Sequence, residues 1–286
     1  MAYMYFAKVN VNEEIFEVYE GRNSLKKILD KLIYNLSSKK IIVLPQNKGR
    51  IKFITLTKNI EKQYVTGRIV KIFKDDIKTY DPEEDDVKDL PTDKLARSAT
   101  FYFDVQHEMV AFTTGQYFGK NQFCEFFEML LNEYMGKNTF KVFLLKDEDT
   151  LREKLQHFSK ISKIWISIVP KNPGCSDIQN MYANPQAIED INARIYTQEF
   201  KADKKSKDGL NINNKYMSNA INGVSQRYGD MGAEGIGADG QDKTVKSSDD
   251  APEQRFISSE EKNSIPSVHE IGKDGIRYIL AKMLRR

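Results

Sequence analysis

Two cysteines in 286 residues, Cys124 and Cys175, exclude a disulfide framework, and their separation is far beyond any metal-knuckle spacing. Cys124 falls in an apolar, helix-like stretch and reads as a small core residue. The three histidines, His107, His157 and His269, make no closely spaced pair, so zinc finds no ligand set and no metal or cofactor is expected. No apolar run reaches membrane-spanning length, and the residues from Met1 to Lys8 hold no signal-peptide core. These deficits predict a cytoplasmic protein in a reducing compartment, with no membrane partner. A strong net charge is missing too. At +3 it provides no whole-molecule field that would attract nucleic acid.

What the chain does have is apolar and aromatic residues enough for a core, 40% and 11% of the sequence, and charge arranged in blocks. Up to Lys74 basic residues dominate, with Lys26, Lys27, Lys31, Lys39, Lys40, Lys48, Arg50, Lys52 and Lys58 close together. From Asp75 to Asp93 the chain is strongly acidic. Such blocks commonly form solvated faces or tethers, and less often a phosphate-facing surface. The acids at Asp81 and Glu83 to Asp86 lack the bend glycine of a calcium loop.

Length and patterning predict two packed units and a tail. Residues 1–80 read as a basic α+β unit. Leu25, Ile28, Leu29, Leu32, Ile33 and Leu36 mark one stripe of a helix that starts behind Asn23 or Ser24. Residues 81–97 read as an acidic linker or loop. Residues 98–200 follow a strand-strand-helix-strand-helix-strand order that resembles a ferredoxin-like arrangement with an extra hairpin. Thr150 and Glu153 have capping-box spacing at the second helix, and another helix is expected from Asn184. Residues 201–265 are polar and Gly-rich, read as partly mobile with short strands near 223–228. Residues 266–286 read as a basic C-terminal helix. The fold class is therefore α+β, helices on mixed and mainly antiparallel sheets.

Few constellations carry chemistry. Gly235, Gly237 and Gly240 match the dinucleotide fingerprint as a string, but no apolar strand feeds it and no helix follows, so a loop is expected. Arg152 and His157 have the spacing used by some helical ribonucleases, yet residues five apart point roughly 140° apart on a helix. Asp104 and Glu125, with Lys141, form a loose metal-nuclease set without diagnostic spacing. The basic unit is the better candidate: Lys26, Lys27, Lys31, Lys48, Arg50 and Lys52 could line one phosphate-contacting surface, with Phe53 or Tyr64 for stacking.

Four features resemble a bacterial family, domain of unknown function 4747. They are the strand Phe101-Tyr102-Phe103-Asp104 with its hairpin, the helix from Asn121 to Leu131, the strand Ile164-Trp165-Ile166-Ser167-Ile168-Val169 with its ending at Pro170 to Pro173, and a turn at Asn219 to Gly223. The resemblance runs from about Phe6 to Ala251, and the final helix lies outside what it covers. It implies a place among phage-defence genes and carries no catalytic residues. The expected function is a defence component that binds or senses nucleic acid or a phage product, in a homo-oligomer or beside a protein partner. The alternatives are an effector nuclease using Arg152/His157 or Asp104/Glu125, and a scaffold that uses the C-terminal helix to grip a partner.

Overall fold

The computed structural model describes residues 2–12, 14–115, 118–168, 195–203, 208–225 and 229–284. Its elements run β1 (Ala2–Val11), α1 (Ile15–Tyr19), α2 (Leu25–Asn35), β2 (Ile42–Val43), β3 (Arg50–Asn59), β4 (Tyr64–Asp81), β5 (Asp86–Asp104), β6 (Met109–Thr113) and α3 (Lys120–Met135). Then follow β7 (Phe140–Leu144), α4 (Glu148–Gln156), β8 (Phe158–Ile168), β9 (Tyr196–Lys201), α5 (Lys215–Ser225), β10 (Gly229–Gly237) and β11 (Asp242–Lys246). Last come α6 (Ser247–Asp250), β12 (Gln254–Ile257) and α7 (Ile265–Leu284). Cys175, the strand end at 170–173 and the helix expected from 184 lie outside the described residues.

The class is α+β, and the described residues build two antiparallel sheets. The first has the order β12-β1-β6-β5-β4-β3-β2, with β7 also pairing β1. Strand β1 is an inner strand, and its sequence suits burial on both faces. Ala7, Val9 and Val11 join the core under α2 and α3, while Met4 and Phe6 join the core under α7. Lys8 points the second way and is neutralised by Glu108 at 2.8 Å, both side chains almost wholly buried.

This pairing corrects the expected division into units. β1 from the first unit pairs β6 and β7 from the second, so residues 1–80 and much of 98–200 share one sheet and one core. The acidic stretch at 81–97 is no linker: from Asp86 it belongs to β5, which pairs β4 down to Asp81↔Asp86. Charge composition signals exposure, and a hairpin extended beyond its sheet is as exposed as a loop. The strands grouped as a ferredoxin-like unit are divided between sheets, because β8 lies in the second one, of order β11-β10-β8-β9.

The polar segment also carries regular elements among its described residues, which leave out 204–207 and 226–228. Met217, Ala220, Ile221 and Val224 recur at three- and four-residue spacing and form the inward stripe of α5, where a turn and strand were expected. β10 is an inner strand despite its glycines. A Cβ at Gly232 would lie 2.6 Å from the Trp165 ring, so this glycine serves a close approach. The glycine string ends in a hairpin turn, with Gly237 N–H donating to Gln241 O at 2.8 Å. Leu151 and Leu155 of α4 and the stripe of α5 cover one face of this sheet. α4 starts one turn earlier than its capping-box spacing implies, with Asp147 Oδ1 accepting from Thr150 N–H at 2.8 Å.

The C-terminal helix forms as expected and covers the first sheet opposite α2 and α3. Near its start His269 sits against Tyr64 and Tyr102, ring centroids 4.7 and 4.9 Å away. Burial holds its pKa below the ordinary 6.5, with Lys273 and Lys62 adding and Glu270 opposing. The unfolded chain therefore takes up the proton first as pH falls. The stability His269 contributes is complete above the unfolded pKa and declines as pH drops through it towards the folded value. Melting temperature is expected to fall between pH ~7.5 and ~5.5, and His269→Phe to flatten that dependence. An unchanged profile in the variant would remove His269 as its source.

Candidate nucleic-acid interface

α2 is built to present a fixed outer face. Ile28, Leu29, Leu32 and Ile33 are buried in the core shared with α3 and β3. Ser24 Oγ caps the first turn, accepting from Lys27 N–H at 3.3 Å. At the other end Lys58 Nζ donates to the carbonyls of Ile33, Tyr34 and Leu36 at 2.9, 3.0 and 2.9 Å. A cation on those orphan carbonyls offsets the negative end of the helix dipole. Lys58, one of the basic block, is thereby committed to structure.

The outward residues are Lys26, Lys27 and Lys31, all exposed, and Tyr34 at 64% exposure. Lys27, Lys31 and Tyr34 stand four and three residues apart, hence on one stripe. Among the described residues none of these three lysines makes an ion pair, in contrast to Lys40, which meets Glu133 at 3.3 Å. Two like charges four apart cost a helix a few tenths of a kcal/mol, a cost that a bound anion would reverse. Tyr34 is the residue that sequence reading missed. Its signal was an aromatic ring on the wet side of an amphipathic helix.

The six basic residues do not form one surface. Ile51 and Phe53 face the α2 core, so the alternating Arg50 and Lys52 leave β3 through the opposite face of the sheet. Lys48 is exposed in the turn before that strand. The two aromatics weighed for stacking are unsuited: Phe53 is fully buried, and Tyr64 packs against His269 and Tyr102.

The nuclease candidates are used elsewhere. Arg152 Nη2 donates to Glu148 Oε1 at 2.8 Å and to Ser218 Oγ at 3.1 Å, joining α4 to α5. His157 is the C-cap of α4, its Nδ1 2.7 Å from Glu153 O. Asp104 closes the β5–β6 turn, accepting from His107 N–H at 3.0 Å with Oδ2 2.8 Å from His107 Nδ1. Glu125 is exposed on α3, and Lys141 pairs with Glu128 at 2.6 Å, not with Asp104 or Glu125. Among the described residues no three His, Cys, Asp or Glu side chains gather as a metal site.

A second polar cluster joins the two sheets. Lys146, its side chain fully buried, donates to Asp230 Oδ1 and to Gly229 O, each at 2.7 Å. Ser247 Oγ donates to Asp230 Oδ1 at 3.3 Å and accepts from Met231 N–H at 3.1 Å. Beside it a cleft of about 300 Å³ is lined by Asn121, Cys124, Glu125, Glu128 and Asp230. Burial pushes the Cys124 thiol up to about 12, Lys146 opposing, so this sulfur is a protonated core group and no nucleophile.

The model of a family described as a domain of unknown function (DUF4747) matches residues 4–272. The chain belongs to the DUF4747 family. The match begins in β1 and ends inside α7, so in this DUF4747 protein both sheets are part of the family pattern, together with the first turns of the C-terminal helix. No curated protein matches the sequence. Among the described residues no helix is long and apolar enough to cross a membrane.

Proposed function

We propose that this DUF4747 protein binds nucleic acid through the outer face of α2, as a component of bacterial anti-phage defence acting in an oligomer or partner complex. The defence setting rests on the family resemblance, and the contact chemistry rests on the helix. The observation that carries the reading is the stripe Lys27–Lys31–Tyr34, with Lys26 beside it, on a helix fixed at both ends. Lysines supply phosphate neutralisation and the tyrosine a stacking surface for an unpaired base. Neither needs base-edge contacts, so the binding is sequence-tolerant and favours single strands.

Fluorescence anisotropy with a short labelled RNA or DNA tests this. Lys27→Glu with Lys31→Glu is expected to weaken binding by on the order of tenfold or more at low salt. Tyr34→Ala is expected to cost about 1–3 kcal/mol on single strands and little on duplex. All three positions are exposed, so circular dichroism should be unchanged. Unaltered affinity in the double variant would refute the assignment of this face.

A further inference from the structure

β4 and β5 continue well past the sheet that holds them. β3 pairs β4 only as far as Arg50↔Ile72, and β6 pairs β5 only over Phe101 to Asp104. Among the described residues, from Asp75↔Thr92 to Asp81↔Asp86 the two strands pair only with each other. A lone two-stranded ribbon is marginally stable in water and leaves two unpaired edges. Acids along it keep those edges from joining other strands. Nine acidic and two basic residues lie between Asp75 and Asp93, and Glu83, Asp85 and Asp86 at the tip are exposed. Just below the tip Tyr80 and Val87 stand opposite each other, 64% and 54% exposed, with Tyr80 Oη donating to Asp85 Oδ1 at 2.6 Å.

The same chain carries a surface complementary to this tip in both charge and character. The outer face of α2 offers Lys26, Lys27 and Lys31 beside the exposed ring of Tyr34. Within one molecule the extended β4 carries the tip away from it. α2 sits at the β3–β4 turn, where Asp30 Oδ1 accepts from Gln63 Nε2 at 3.2 Å and Lys58 meets its last carbonyls. From Tyr64 the 18-residue strand β4 runs away from that turn for roughly 55 Å at ~3.3 Å per residue. Acid and base thus lie at opposite ends of one molecule, an arrangement that two copies related by a two-fold axis satisfy twice.

We propose that the acidic hairpin tip docks on the Lys26/Lys27/Lys31/Tyr34 face of α2 in a second copy of the chain, giving a two-fold dimer with two such contacts. The contact occupies the face assigned to nucleic acid, so dimer and nucleic acid compete for it. Dimerisation is measured without nucleic acid and binding with it, so that either reading can fail alone.

Sedimentation equilibrium of the full chain, at low and high salt, is the test. The wild type is expected to dimerise at low salt and to dissociate as salt rises. The tip variant Glu83→Gln/Asp85→Asn/Asp86→Asn and the helix variant Lys27→Glu/Lys31→Glu should each raise the dimer Kd by about tenfold or more. Combining Lys27→Glu/Lys31→Glu with Glu83→Lys/Asp86→Lys should restore the dimer. A protein that stays monomeric at low salt would overturn the proposal, as would a dimer indifferent to the tip variant. A dimer lost with the tip variant and kept with the helix variant would also overturn it, because the tip would then dock elsewhere.

Discussion

Asp230→Ala is expected to lower stability by roughly 2–4 kcal/mol, measured by urea denaturation, although the residue is one-third exposed. The loss follows from its partner. Lys146 has no accessible side-chain surface, and among the described residues only the Gly229 carbonyl would remain to its charge without Asp230. Removing one member of a buried pair costs about 3–5 kcal/mol, discounted here because Asp230 reaches solvent. Replacing both, as Lys146→Met with Asp230→Ala, is expected to recover most of that loss, since no uncompensated charge then stays inside. The location makes the test structural as well as energetic. Lys146 follows β7 of the first sheet, and Gly229 and Asp230 begin β10 of the second. A single variant within about 0.5 kcal/mol of wild type would mean that this pair does not hold the sheets together.

Gly275→Val is expected to detach α7 from the first sheet, with a loss of about 3 kcal/mol or more. A Cβ at this position would lie 2.4 Å from Phe6 Cζ and 2.5 Å from Cε1, and Phe6 is wholly buried in β1. Gly272, one turn earlier, faces Ala111 in the same way, with a Cβ placed 2.8 Å from its methyl group. Glycine in a helix interior costs about 1 kcal/mol relative to alanine. Here the two glycines let the helix backbone approach the sheet closely. Limited proteolysis should show the variant cut near residue 265 under conditions where the wild type resists. A variant as resistant and as stable as wild type would contradict the packing of α7 on Phe6.

These two sites show what the sequence could and could not reveal. α2, α3 and α7 were legible because their apolar residues repeat at helical spacing, a local signal that tertiary structure then uses. The strands at Phe6 to Val11, Ile51 to Leu56 and Ile164 to Ile168 were legible for the same kind of reason. β10 was not, because its glycines answer to the neighbouring strand β8, Gly232 to the Trp165 ring and Gly229 and Gly235 to the backbone at Ser167 and Lys160. The long hairpin was missed because its strands are held by each other, with charge where alternation would otherwise show. Lys146 carried no local signal, since its carbonyl partner is 83 residues away. Lys26, Lys27, Lys31, Lys48 and Arg50 are exposed and Lys52 is half-buried, but a single β-strand alternation separates Arg50 and Lys52 from the lysines of α2.

The assignment of α2 as the nucleic-acid face meets its most direct test in the salt dependence of wild-type binding. Three lysines that neutralise phosphates predict that log Kobs, measured at protein concentrations below the dimer Kd, falls linearly with log salt, with a slope of about −2 on a single strand. Lys27→Glu with Lys31→Glu should bring that slope close to zero as affinity falls. A wild-type slope near zero, or no binding at low salt, would contradict the account.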